Sequence, residues 1–189
     1  KTAYEILTCD WSSDVCSSDL PVALVDGRIA GIALDGSGEA LIDASERRLS
    51  RGAPLRAAGP LRTAAVARAL LDASLQRSIT ARERLAACDL RGLSDFDAAV
   101  LGALARVARG TTATYGEIAA AIGSPRAARA VGGALGRNPI PVLLPCHRVV
   151  AAAGIGGYGG AAGTRWRPGG EAPLDFKRRL LRREGVNAR

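Results

Sequence analysis

The sequence predicts an α+β fold: a small N-terminal antiparallel sheet with a helix, then a mainly helical domain built around a helix-turn-helix. Three observations carry that expectation. Apolar residues alternate on either side of Asp26-Gly27, a dipeptide suited to the tightest hairpin turns. Helix-start signals recur at Ser94, Thr114 and Ser124. Charge is uneven, with 11 basic and 10 acidic side chains in residues 21–100 but 14 and 4 in residues 101–189.

The first twenty residues, KTAYEILTCDWSSDVCSSDL, match neither the helical nor the strand period and repeat Ser-Ser-Asp. Asp10, Asp14 and Asp19 interrupt the apolar run that a secretory signal requires. Back-translated, Lys1 to Ile6 and Trp11 to Leu20 resemble the two ends of a common short-read sequencing adapter. Residues 1–20 are therefore expected to be translated adapter, fused in frame to a gene whose own start is missing, and to lie outside the fold.

Val22 to Leu34 reads as two antiparallel strands around Asp26-Gly27, with a third strand expected at Glu39 to Ile42. Leu61 to Leu75 carries apolar residues at helical spacing, whereas Gln76 to Ala87 is charged and without a clear period. Cys88, beside Ala86 and Ala87, reads as a packed thiol in the core or at the surface. The texture changes near residue 90, which separates an N-terminal α/β domain (21–90) from a C-terminal domain (91–189).

In that second domain Ser94 or Asp95 caps a helix expected to run to about Ala108, with Gly110 beyond it. Thr114 and Glu117 have the spacing of a capping box and open YGEIAAAIG, which Gly123 stops. Ser124-Pro125 is expected to cap the next helix, PRAARAVGGALGRN, bearing Arg126, Arg129 and Arg137. Two short helices so joined suit a helix-turn-helix, although plain helical hairpins share the pattern.

Of the chain's 189 residues, those after residue 20 hold 25 basic and 14 acidic side chains, and that excess attracts phosphate polyanions. A GC-rich genome also favours arginine, so charge alone leaves nucleic acid as one of two readings. No apolar run approaches the roughly 20 residues of a membrane span. Beyond residue 20 only Cys88 and Cys146 remain, too few for a zinc cluster or a disulfide framework. No metal, no cofactor and a cytoplasmic location are expected.

NPIPVLLPCHRVV, Asn138 to Val150, sets Cys146 after an apolar, strand-like run and directly before His147, the only histidine. A thiol with a pKa of roughly 8.5 needs a base or a positive field to act as a nucleophile. Neighbours on a strand face opposite ways, so the pair would need a bend or a bridging water. An isolated Pro-Cys-His triplet reads instead as a buried cysteine beside a solvent-facing histidine.

RAVGGALGRNPIPVLLPCHRVV, with TYGEIA before it and GIGGYGG and LLRREG after it, resembles the O6-alkylguanine-DNA alkyltransferases over about Leu90 to Gly185. The resemblance implies a winged helix-turn-helix and direct reversal of damage. An alkyl group would pass irreversibly from O6 of guanine in double-stranded DNA to Cys146, once per molecule, by a monomer; O4-methylthymine is left open as a second substrate. It implies His147 as the base acting through water, Glu184 as its orienter, Tyr115 as hydrogen-bond donor to the departing guanine, and Asn138 as the hinge beside the cysteine loop. Pro141, Val149, Tyr158 and Gly159 would line the base pocket, with the Val149 carbonyl on the guanine edge. Arg129 would fill the gap left by a flipped nucleotide, while Arg126 and Arg137 would face DNA.

Some of these residues have plainer readings: Tyr115 as a packing aromatic, Glu184 as a solvated partner of Arg182 or Arg183. Lys177, Arg178, Arg179, Arg182 and Arg183 read as the wet face of a last helix. Gly159 stands where relatives often carry serine, and the link from Ala161 to Asp175 is longer than theirs. The competing function classes are a non-catalytic DNA-binding module and a cysteine hydrolase.

Overall fold

A computed structural model describes residues 5–9, 20–25, 28–33, 38–49, 73–74, 79–158 and 172–187. Strands β2 (Leu20–Val25) and β3 (Arg28–Ile32) form the expected hairpin, from Val25 opposite Arg28 to Val22 opposite Ile32, with the register shifting by one residue between Ala23 and Leu24. Strand β1 (Glu5–Cys9) pairs antiparallel with β2, giving the order β1-β2-β3. A strand within residues 1–20 was not expected from the pattern; a backbone ladder needs no side-chain period.

The expected third strand at Glu39 to Ile42 is instead the start of helix α1, Gly38–Leu49. Leu41, Ser45 and Leu49 are buried four residues apart, a helical spacing that a four-residue window cannot reveal. The α1 side chains Leu41 and Leu49 cover Ala23, Val25 and Ala30 on one face of the hairpin. Val22, Leu24, Ile29 and Ile32 enter the main core on the other. A Cβ on Gly31 would stand 2.7 Å from the Leu41 side chain, so glycine lets β3 and α1 approach. The helix expected over Leu61 to Leu75 lies outside the described residues except for Ala73 and Ser74, which are helical.

Within the stretch of unclear period lies α2, Ala81–Ala87, started by a capping box between Thr80 and Glu83. Cys88 is buried in the main core, and burial pushes its thiol pKa up to about 12. That core is continuous across residue 90, uniting Val22 and Ile29 with Val100, Leu104, Val131 and Leu180. The Asp89 amide donates to the Ile29 carbonyl and the Ile32 amide to the Pro139 carbonyl, both at 2.8 Å. Arg48 donates to the carbonyls of Ala30, Asp89 and Arg91.

Helix α3, Asp95–Leu104, begins where Ser94 Oγ accepts from the Asp97 amide at 3.1 Å. It ends four residues before Ala108, because Arg106 and Val107 tighten onto carbonyls three residues back. The capping box at Thr114 and Glu117 is present and opens α4, Tyr115–Ala121, after the two-residue strand β4, Ala113–Thr114.

Helix α5 is shorter than expected, Ala128–Gly136. Ser124 does not cap it: the Ala127 amide donates to the Ser124 carbonyl at 2.9 Å, so Ser124 to Ala127 is a turn. Arg126 thus precedes the helix and Arg137 is its C-cap, leaving Arg129 alone of the three on it. A 3-10 turn, Cys146–Arg148, leads to strand β5, Val149–Val150, parallel to β4, and the last helix is α6, Pro173–Arg183.

Candidate active site

The apolar run before Cys146 is not a strand. Pro139, Pro141 and Pro145 have no amide hydrogen for a ladder, so the chain coils instead. The amide of Leu144 donates to Ile140 O at 3.0 Å and that of Cys146 to Leu144 O at 2.8 Å. Val142 takes φ of 72°, a strained value for a β-branched residue, and its carbonyl accepts from Ser74 Oγ at 3.3 Å. Asn138 fastens the coil at both ends: its Oδ1 accepts from the Ile140 amide at 3.0 Å and its Nδ2 donates to Leu144 O at 2.9 Å.

Because Cys146 and His147 occupy a 3-10 turn, they diverge by about a third of a revolution rather than facing opposite ways. Cys146 stays partly exposed while His147 is fully buried. His147 Nε2 lies 2.9 Å from Glu184 Oε1. With Nε2 donating to the carboxylate, Nδ1 is left as the acceptor. That atom is buried and has no hydrogen-bond partner among the described residues.

Glu184 also accepts from Arg148 Nε and a terminal Arg148 nitrogen, each at 2.9 Å, while Arg148 holds the Val107 carbonyl at 2.8 Å. Burial pushes the Glu184 carboxyl up, but its bonds to His147 and Arg148 together outweigh that and hold its pKa at about 2. Burial lowers the His147 pKa more than Glu184 raises it, so the imidazole rests neutral. Burial also raises the Cys146 pKa, against opposing hydrogen bonds from Asn138 and Tyr158 and the field of Lys177. At rest the site holds a thiol beside a neutral imidazole bonded to a carboxylate.

Two walls complete it. Tyr115 donates from its hydroxyl to Gly157 O at 3.2 Å, and Cys146 Sγ donates to the Tyr158 hydroxyl at 3.7 Å. Gly156 has φ of 70°, and a Cβ there would stand 2.9 Å from the Ala151 amide and 3.2 Å from the Tyr115 ring. Lys177 is fully buried, and its ammonium donates to the carbonyls of Val149, Ile155 and Gly157 at 2.6, 2.7 and 3.0 Å. Burial lowers its pKa to about 8.

The fold therefore gathers Cys146, His147, Glu184, Tyr115, Asn138, Val149 and Tyr158, with Pro141 buried in the coil that Asn138 fastens. Arg126 and Arg129 are exposed around α5. Arg137 instead forms an ion pair with Asp97, at 2.7 and 3.1 Å. Gly159 lies outside the described residues, as does the long link up to Glu171. Glu184 is not a solvated partner of Arg182 or Arg183. The sequence reading missed Arg148 and misplaced Lys177 on a wet face. Lys177 precedes the buried Leu180 and Leu181 by three and four residues, a periodicity that puts it inward despite its charge.

Among the described residues no group of side chains could hold a metal ion, and no helix is long and apolar enough to cross a membrane. A family model described as 6-O-methylguanine DNA methyltransferase, DNA binding domain, matches residues 95–186. The methylated-DNA–protein-cysteine methyltransferase of Mycobacterium tuberculosis is 56% identical over 73 residues, 38% of this chain and 44% of that protein. Its namesake from Methanosarcina acetivorans is 46% identical over 93 residues, 49% of this chain and 52% of that protein. The chain thus spans about half the length of these curated relatives. The solved O6-methylguanine-DNA methyltransferase of Pyrococcus kodakaraensis superposes with a TM-score of 0.64 at 27% identity, over 98% of this chain and 100% of that one. A Mycobacterium tuberculosis OGT solved in complex with DNA gives 0.57 at 27% identity, over 96% and 91%.

Proposed function

Since residues 95–186 match the family model of the 6-O-methylguanine DNA methyltransferase DNA-binding domain, we propose that this chain moves an alkyl group from guanine O6 in duplex DNA onto Cys146. The observation that carries the reading is the buried Arg148-Glu184-His147 chain, which ends on an Nδ1 without a partner among the described residues, one residue from a partly exposed thiol.

His147 takes the thiol proton through a bridging water and the imidazolium is stabilised by Glu184. The sulfur then attacks the alkyl carbon in line with the C–O6 bond. A carbon–sulfur bond forms, the carbon–oxygen bond breaks, and guanine leaves with the electron pair on its ring. Tyr115 lowers the energy of that anion by donating a hydrogen bond, turning its hydroxyl from Gly157 O. Val149, Pro141, Tyr158 and Gly159 form the pocket. The thioether does not hydrolyse, so each molecule acts once.

A stacked base cannot reach a thiol inside the protein, so the nucleotide must rotate out, at about a few kcal/mol. Arg129, exposed on α5, offsets part of that cost by occupying the gap; Arg126 supplies charge for the backbone, and Arg137 does so while holding Asp97. In this reading the protein is a cytoplasmic monomer without a cofactor. Residues 91–189 bind DNA and carry the chemistry, residues 21–90 buttress them, and residues 1–20 are translated adapter.

The test is incubation with duplex DNA carrying radiolabelled O6-methylguanine. Label should appear on Cys146 and saturate near one equivalent, and Cys146→Ala should abolish transfer while DNA binding persists. Binding without transfer by the unsubstituted protein would support a non-catalytic DNA-binding module instead.

A further inference from the structure

Arg84, in α2, is 1% exposed. One terminal nitrogen donates to the Ala105 carbonyl at 3.0 Å. Nε and the other terminal nitrogen are buried without a hydrogen-bond partner among the described residues. Burying a guanidinium with idle donors is unfavourable unless a nearby anion offsets it. Asp89 is engaged by Arg91 and Asp97 by Arg137. Glu83 and Glu184 are the carboxylates within electrostatic reach of Arg84; Glu83 is held by Thr80 in the capping box, Glu184 is the one that serves the site, and Arg148 lies within reach as well.

The turn after α3 joins these groups mechanically. Arg84 holds the Ala105 carbonyl, Arg148 holds the Val107 carbonyl, and the Gly110 amide donates to Glu184 Oε2 at 3.5 Å. We propose that Arg84 is a positioning residue of the relay: its guanidinium shares the Glu184 charge and fixes the 105–110 turn around the carboxylate that orients His147.

The proposal rests on reading His147 as the base. A carboxylate bonded to an imidazole favours the imidazolium, which cannot act as a base. The charged and titratable groups facing His147 are Glu184, Arg148, Lys177 and Cys146. Arg84 acts one step removed, by moderating the carboxylate. Burial and the field of Arg148 lower its own pKa to about 10, so it remains a cation near neutrality.

Because His147 is the only histidine in the chain, its ring titration can be followed by NMR on the whole protein without DNA and without ambiguity. In Arg84→Gln the midpoint should rise by about half a unit or more, roughly a threefold gain in proton affinity. The acid limb of alkyl transfer should move with it. Arg84→Lys, which keeps the charge, should titrate within about 0.2 units of the unsubstituted protein. A purely structural role would lower the melting temperature of Arg84→Gln and leave the midpoint in place, and that result overturns the proposal. Should Arg84→Gln not fold, a displaced midpoint in Arg84→Lys overturns it equally. Absence of transfer by the unsubstituted protein would refute the alkyltransferase reading while leaving the titration interpretable.

Discussion

Cys146 and His147 are one residue apart in the chain, yet burial acts on them in opposite directions. It keeps the thiol protonated and the imidazole unprotonated, so neither group carries charge until the proton moves. The sign of the pH dependence follows. Transfer should fall in acid as His147 gains a proton, with a midpoint below the ordinary imidazole value of 6.5. It should then stay flat through neutrality, because burial holds the thiol pKa above its ordinary value and so keeps it protonated there. Single-turnover rates with O6-methylguanine as the free base, measured across pH, check this without involving DNA binding. His147→Gln should remove the acid limb along with most of the rate. Lys177 offers a second check: Lys177→Met leaves the carbonyls of Val149, Ile155 and Gly157 without their shared donor. Transfer should drop by about tenfold or more, since each lost charged bond is worth roughly 1.5–3 kcal/mol to the loop that carries Tyr158.

Among the elements, α4 and α5 carry the surface proposed to meet DNA, while the coil from Asn138 to Pro145 leads to Cys146. Arg129 stands in the first turn of α5, exposed, whereas Val131, Ala134 and Leu135 anchor the opposite face in the core. An exposed arginine that fills the vacated stack matters only when there is a stack. Arg129→Ala should therefore slow transfer from duplex by about ten- to a hundredfold, since unstacking costs a few kcal/mol, and leave transfer from the free base unchanged. Equal impairment on both substrates would contradict the flipping role. Strand β1 makes a separate prediction. It pairs only with β2, at the edge of a sheet that α1 and the main core already cover. Deleting residues 1–20 removes β1 and Leu20, the first residue of β2, and should leave transfer within about twofold and thermal unfolding cooperative, because β1 is a terminal edge strand. A protein that cannot fold without them would refute the adapter reading.

At the scale of the molecule, one core spans both halves of the chain and Glu184 joins the candidate site to its stability. The Glu184 pKa is about 2 in the folded protein against 4.5 for the free side chain. A carboxyl depressed by folding stabilises above its unfolded pKa, and that contribution is lost as pH falls through the folded one. At about 1.4 kcal/mol per unit, the contribution is on the order of 3 kcal/mol near neutrality and fades between about pH 4.5 and pH 2. Urea unfolding across that window should show a decline that Glu184→Gln lacks, the variant being less stable at neutral pH and converging toward the parent in acid. The surplus of basic side chains acts over longer range, so binding to undamaged duplex should weaken steeply with salt.

Local chemistry made much of this legible in the sequence. Asp26-Gly27 specified the hairpin, Ser94 and the Thr114-Glu117 pair specified helix starts, and the residues around Cys146 carried the chemical resemblance, because each depends on neighbours a few positions away. Residues 39–42 misled because a helix buried against a sheet looks like a strand over one turn. Ser124 misled because its competing turn lies within the same four residues as its cap. Tertiary structure decided the rest. It turned Lys177 inward, set Glu184 on His147 and Arg148 rather than in solvent, and brought Arg84 from the first half beside the turn that encloses them. Charge in a sequence does not say whether a side chain meets water; only the packed surroundings, which set the cost of desolvation and supply the partners that offset it, determine that.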